Sequence, residues 1–252
     1  MNALKTATIA LLSASLAVGS TLAEDKKPAG EICKASDFQG MTVKNPKGEE
    51  LGDVEDVVID TNTGEIVYVA IAVGETLDLG GKFFAVDPRA LTANKEFVGL
   101  DVSRAQLERS KGFNKDAWPN EPDRTLGARD REEKAEEGVK EAGKRNLKRV
   151  SQLMDATVYG GDNKKLGEVD GIAYDKANHK VAYMVLGYGG FADVGEEFFA
   201  IPCSALSYKT QNNTFTMKGA TESTFKGQKG FDKDNWPTQA DQRFAKKTDS
   251  DE

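Results

Sequence analysis

Leu51-Gly52-Asp53-Val54-Glu55 returns 115 positions later as Leu166-Gly167-Glu168-Val169-Asp170. From Leu51 to Leu91 and from Leu166 to Leu206, 13 of 41 positions are identical at that constant offset, and others exchange like for like, as Ile66 with Val181 and Val86 with Ile201. Lys82-Phe-Phe-Ala85 and Glu197-Phe-Phe-Ala200 fall in register. A second match follows each unit. The nine residues from Lys111 to Pro119 and from Lys229 to Pro237 share seven identities at an offset of 118, so three residues have entered the second copy. Both tryptophans of the chain, Trp118 and Trp236, lie in this tail. Self-similarity at a fixed spacing marks a duplicated structural unit.

Each unit reads as short strands. Leu51 to Asp60 carries Val54, Val57, Val58 and Ile59, Thr61-Asn62-Thr63-Gly64 makes a tight turn, and residues 65–73 are β-branched or aromatic. Gly64 takes a positive φ at little cost. Shorter strands follow at residues 82–86 and 97–100. The second copy supplies 166–175, a turn through Asn178-His179, then 180–188, 197–201 and 214–217. This is a mostly β pattern. Two small closed barrels suit it, because closure removes exposed strand edges, and an open two-layer sheet is the competing geometry. Parallel α/β does not fit, since no helix of sufficient length separates the strands. Ser103 with Gln106 forms a capping box that starts a short helix. Beyond it, the Phe113/Trp118 and Phe231/Trp236 pairs are expected to fold back onto their own barrels.

Between the units, residues 120–146 are rich in charge and poor in apolar side chains. Gly138 and Gly143 weaken any helix there, so the segment reads as a charged, partly helical linker. The first 23 residues read as a signal peptide: Lys5 is the only charge, Ile9 to Val18 is a short apolar core, and Ala23 precedes Glu24 and Asp25. The expected organisation is therefore 1–23 leader, 30–119 first domain and tail, 120–146 linker, 147–237 second domain and tail, and 238–252 polar C-terminal tail. Such a leader places the mature chain in the periplasm, with a secreted or membrane-associated form as the alternative. Across all 252 residues, 34 Lys and Arg face 41 Asp and Glu, a net charge of −7. That balance disfavours a broad contact with nucleic-acid phosphates. No segment after the leader is apolar enough to span a bilayer.

With the repeat laid out, a wider pattern emerges. Leu-Gly-acid-Val, a strand ending in Asp, a turn, a second apolar strand and Phe-Phe-Ala-(Val/Ile) ahead of Ala-Leu together resemble the PRC-barrel domain. The first copy carries the resemblance on Gly52, Val54, Asp60, Tyr68, Phe84, Ala85 and Leu91; the second carries it on Gly167, Val169, Asp175, Tyr183, Phe199, Ala200 and Leu206. The resemblance implies two PRC-like β-barrels. That family is named from the cytoplasmic domain of the photosynthetic reaction-centre H subunit. It also includes the carboxy-terminal domain of a ribosome-maturation factor. Its members resemble adaptor or assembly modules, and no catalytic set defines them. For this chain the resemblance implies a non-enzymatic adaptor, assembly or envelope-associated protein that works through a protein partner, a membrane complex among the candidates, and that needs no cofactor. Fold analogy alone does not establish function. Binding of a small ligand or cation at a barrel mouth or between the barrels is the competing reading.

The chemistry-bearing residues are sparse. The carboxylates Glu49, Glu50, Asp53, Glu55 and Asp56 read as a solvated strand edge ahead of a hard-cation site, and Asp56 has Gly171 as its counterpart. Asp60 and Asp175 close the strands before the hairpins, where an Asp accepts backbone hydrogen bonds in an Asx-type turn. His179, the sole histidine, stands opposite Gly64, and no zinc or iron ligand spacing surrounds it. Neither Gly80-Gly81 nor the 187–190 segment is a phosphate-binding loop. In that second loop Tyr188 and Phe191 are the favoured partner contact. Cys33 and Cys203 either join as a disulfide in an oxidising compartment or stay as thiols. Gly52, Asp60, Phe84 and Trp118, with Gly167, Asp175, Phe199 and Trp236, are the structural residues of the repeat.

Overall fold

The computed structural model describes residues 31–73, 81–126, 145–189 and 196–245. The leader 1–23, residues 127–144 of the linker and Phe191 lie outside the described residues. The first copy contains β1 (Ile32–Lys34), α1 (Ala35–Phe38), β2 (Thr42–Lys44), β3 (Glu50–Asp60), β4 (Ile66–Ala72), β5 (Phe83–Val86), β6 (Leu91–Ala93), β7 (Val98–Leu100) and α2 (Arg104–Arg109). The second repeats the series as β8 (Leu147–Arg149), α3 (Val150–Leu153), β9 (Thr157–Gly160), β10 (Lys165–Asp175), β11 (Lys180–Tyr188), β12 (Glu197–Ile201), β13 (Ser207–Lys209), β14 (Thr214–Met217) and α4 (Glu222–Phe225).

Each copy forms one sheet, in the order β5-β4-β3-β2-β7-β6 and β12-β11-β10-β9-β14-β13. The β2–β7 and β9–β14 pairs are parallel and the rest antiparallel. The long strands β3 and β10 are bent by register shifts at the same place, between Val54 and Asp56 and between Val169 and Gly171. The protein is mostly β, but among the described residues the ladders end at β5 and β6, and at β12 and β13, so the sheets are not closed into barrels. The tails cover the β5 and β12 edges. Phe83 and Phe113 exchange backbone hydrogen bonds of 2.9 and 2.8 Å, and Asp123 N donates to Ala85 O at 2.7 Å.

The seventh strand of each sheet is the leading strand of the other copy, so the leading strands are exchanged. β1 belongs to the first copy by sequence, yet it lies antiparallel to β10, with Cys33 opposite Tyr174. Reciprocally, β8 lies along β3, with Lys148 opposite Ile59. The hairpin turns meet as well: Ile66 N donates to His179 O at 3.1 Å and Val181 N to Gly64 O at 2.8 Å. Phe38 of α1 rests edge-on against Tyr174, their ring centroids 6.1 Å apart. One continuous core therefore holds Val57, Ile59 and Phe84 of the first copy with Ile172, Tyr174 and Phe199 of the second.

The opposite face of each sheet is also covered. Val58, Tyr68, Ala70 and Ala85 pack under Phe113 and Trp118, as Ala173, Tyr183, Val185 and Ala200 pack under Phe231 and Trp236. Burial on both faces is why β4 reads Ile-Val-Tyr-Val-Ala-Ile-Ala, without alternation. Helix α2 starts at the capping box: Ser103 Oγ accepts from Gln106 N, and Gln106 Oε1 accepts from Ser103 N at 2.8 Å. The tails extend further than composition suggests. Leu126, inside the charged segment, is buried in the core, and so is Phe244 near the polar C-terminus, which stacks on Phe225 at 5.0 Å. Among the described residues no helix is long and apolar enough to cross a membrane.

Candidate functional site

The two outer faces are built alike. Tyr68, on the outward side of β4, donates its hydroxyl to Pro119 O at 2.9 Å, and Tyr183 of β11 donates to Pro237 O at 2.7 Å. Burial pushes both phenols well above the usual tyrosine range. Each bond pins a tail so that its tryptophan meets the aromatic residues of the edge strand. Trp118 stacks on Phe83 with centroids 6.0 Å apart and meets Phe113 edge-on at 5.1 Å. Trp236 contacts Tyr183 at 6.1 Å and Phe231 at 6.0 Å. A cation from the other copy lies over each indole: Arg149 of β8 at 4.8 Å from the Trp118 ring, and Lys34 of β1 at 4.9 Å from the Trp236 ring. Lys34 and Arg149 are equivalent at the 115-residue offset. Both tryptophans are partly exposed, so each face combines a rigid aromatic cluster with a fixed positive charge.

Sequence symmetry breaks under these faces. Asp56, one of the carboxylates expected at a solvated edge, is only 2% exposed. It accepts hydrogen bonds from Gln39 Nε2 at 3.1 Å, Val57 N at 2.8 Å, Ser151 N at 3.2 Å and the Ser151 hydroxyl. A side chain of the first copy thus holds the first turn of α3 in the second. Gly171 occupies the equivalent place in β10, where a Cβ would come within 2.5 Å of the Trp236 ring. The carboxylates of Asp60 and Asp175 lie in the hairpin turns. Asp60 Oδ1 accepts from Asn62 N at 2.9 Å and from Asn146 N at 3.3 Å, and Asp175 Oδ1 accepts from Ala177 N and Asn178 N at 3.0 Å each. Gly52 and Gly167 allow close strand crossings: a Cβ there would fall 2.1 Å from Ala72 O and 1.9 Å from Gly187 O. Phe84 and Phe199 are buried in the core.

Tyr188 does not stand free. Its ring stacks on Phe225 at 5.2 Å and meets Phe199 edge-on at 6.2 Å, and its hydroxyl donates to Glu222 O at 3.3 Å. The disulfide alternative is not realised in this structure. Cys33 and Cys203 are both free thiols: Cys33 lies on β1 opposite Tyr174, and Cys203 sits in a 3-10 turn against Gly64. Burial raises both thiols, Cys203 to about 12. Among the described residues no three His, Cys, Asp or Glu side chains gather where a metal ion would sit.

A pocket of about 370 Å³ opens where the exchanged strand β1 passes β6 and the β10–β11 turn. Val57, Ile66, Val69 and Leu91 of the first copy form its apolar wall, with Phe38 and Tyr174 as an aromatic side. Sequence reasoning named the space between the copies as an alternative ligand site but none of these lining residues, which the exchange brings together.

The PRC-barrel domain pattern matches residues 31–106 and again 145–223, the two segments that fold as the paired sheets. The chain belongs to the PRC-barrel domain family. No curated protein gives a significant match to it. PRC-barrel domains are typically protein-interaction or assembly modules and are in general not catalytic. In this tandem PRC-barrel protein the matched segments include β1 and β8, so both exchanged strands lie within the domain pattern, while both tryptophan tails lie beyond it.

Proposed function

We propose that this tandem PRC-barrel chain is exported to the periplasm, loses residues 1–23, and acts there as a non-enzymatic adaptor or assembly module. The supporting observation is the pair of tryptophan faces, each completed by a cation from the opposite copy. Because the leading strands are exchanged, the two faces are carried on one core and presented at a fixed separation. Binding two sites of one assembly then requires little further ordering. Trp, Tyr and Arg are the side chains that most often anchor protein interfaces. The acidic balance of the chain suits docking to a protein complex at the membrane better than attachment to anionic lipid. Tyr188, whose ring packs on Phe199 and Phe225, and Phe191 are proposed as a second contact, separate from the tryptophan faces.

In-cell crosslinking of an affinity-tagged full-length chain in its native host, followed by mass spectrometry, tests the reading. The expected result is one dominant envelope partner, crosslinked reproducibly to residues 113–119 or 231–237 and lost on Trp118→Ala or Trp236→Ala without unfolding. Normal export and abundance with no specific partner would overturn it.

A further inference from the structure

The internal duplication supplies its own evidence about the pocket beside β1. The ladders establish which residues are equivalent. Val43 of β2 pairs with Val98, which pairs with Ala93; Val158 of β9 pairs with Phe215, which pairs with Tyr208. Ala93 and Tyr208 are also 115 positions apart, as are Cys33 and Lys148. In the second copy an aromatic ring stands at this location. The Tyr208 ring packs against Phe215 at 5.1 Å, the Lys148 ammonium lies 5.6 Å from its centroid, and its hydroxyl donates to Asn213 Oδ1 at 2.8 Å. In the first copy Ala93, Val98 and Cys33 take the places of Tyr208, Phe215 and Lys148, each a smaller side chain. Ala93 and Cys33 both line the pocket. At the β6 position, then, the second copy carries an aromatic ring and the first an alanine.

The rest of the lining has diverged to suit a guest. Tyr174 stands where the first copy has Ile59, and its edge-on pairing with Phe38 gives the pocket an aromatic wall. The Tyr174 hydroxyl is buried and has no hydrogen-bond partner among the described residues. The rim carries Glu31, Asp175 and Lys176, with Lys176 Nζ already 3.3 Å from Glu31. Two carboxylates, Glu31 and Asp175, against one lysine there disfavour an anionic guest. A volume of about 370 Å³ with predominantly apolar walls is that of a small-molecule site.

We infer that the pocket formed by Phe38, Val57, Val69, Leu91, Ala93 and Tyr174 binds a small neutral aromatic compound of one or two rings, which occupies the place that Tyr208 fills in the second copy. This site is separate from the tryptophan faces, and the inference stands whether or not those faces bind a protein.

The test uses the full chain with labelled methyl groups, titrated with p-cresol and with indole and followed by NMR. Saturable shifts are expected at the Val57, Ile66, Val69 and Leu91 methyls, with p-hydroxybenzoate binding at least tenfold more weakly than p-cresol. Ala93→Tyr, which copies the second-copy residue, is expected to weaken p-cresol at least tenfold. Should that variant fail to fold, Tyr208→Ala gives an independent reading: it opens the equivalent location and is expected to add p-cresol shifts at Val181, Met184 and Leu206. A capped Gly-Tyr-Gly peptide is run alongside. Binding more than tenfold tighter than p-cresol would make the guest a partner's side chain and overturn the assignment to a free compound. Absence of saturable shifts in the native chain, or identical titrations for the native chain and both variants, would overturn the site itself.

Discussion

Asp56→Ala strikes the link between the copies at a single side chain. The carboxylate is buried, at 2% exposure, and it serves donors on both sides of the exchange: Gln39 Nε2 and Val57 N from its own copy, Ser151 N and the Ser151 hydroxyl from the other. Alanine leaves the buried Val57 N–H without this acceptor, a loss of about 1–3 kcal/mol. The exposed Ser151 groups can turn to water, so their loss is smaller, about 1 kcal/mol together. Removing a charge from the interior returns part of its desolvation cost. The expected net loss is about 2–4 kcal/mol in urea unfolding at pH 7, on the order of 10 °C in Tm for a chain of this size. Ser151→Ala should cost about 1 kcal/mol. Because the two residues touch, the double variant should be less destabilised than the sum by about 1 kcal/mol. A loss below about 0.5 kcal/mol for Asp56→Ala, or strict additivity with Ser151→Ala, would refute the claim that this carboxylate joins the copies.

Three further outcomes follow from the same geometry. Gly171→Ala places a methyl within 2.5 Å of the Trp236 ring, so it should cost about 1–3 kcal/mol and shift tryptophan emission, whereas Trp118→Ala should leave the Trp236 signal unchanged. Stability should fall as pH rises above the usual tyrosine pKa. The phenols of Tyr68, Tyr174 and Tyr183 are held above that value by burial, Tyr174 most of all. The unfolded chain therefore releases these protons first, so stability is complete below pH 10 and declines above it; a flat urea midpoint from pH 8 to 11.5 would contradict this. In the native state without reductant, a thiol reagent at pH 8 should modify Cys33 faster than Cys203, whose thiol burial raises to about 12, and unfolding should make two thiols available. Finding none in the unfolded chain would show a disulfide instead.

The sequence made much of this fold legible. The duplication, the long hairpins and the capping box at Ser103 can be read from residue pattern alone, because each rests on local spacing and turn chemistry. Barrel closure was the natural expectation for so many short strands. The outer edges are covered instead by tails anchored by a few large apolar residues, Phe113, Trp118 and Leu126 in one copy and Phe231, Trp236 and Phe244 in the other. The exchange itself is hidden for a physical reason: β1 and β8 are three residues each, and two related repeats offer each of them two similar docking edges. The informative signals were the asymmetric pairs. Asp56 against Gly171 marks the carboxylate that reaches across to α3 and the gap that Trp236 fills. Ala93 against Tyr208 marks the open pocket. Neither pair has any meaning until the strands are placed.

The exchange of leading strands is the central claim, and interstrand contacts read by NMR on the monomeric full-length chain test it most directly. The account expects backbone proton contacts between Cys33 and Tyr174 and between Val58 and Arg149, the pairs aligned in the two exchanged ladders. If each copy instead keeps its own leading strand, the contacts will join Lys34 to Val58 and Arg149 to Ala173, and the interlocked body described here will be wrong.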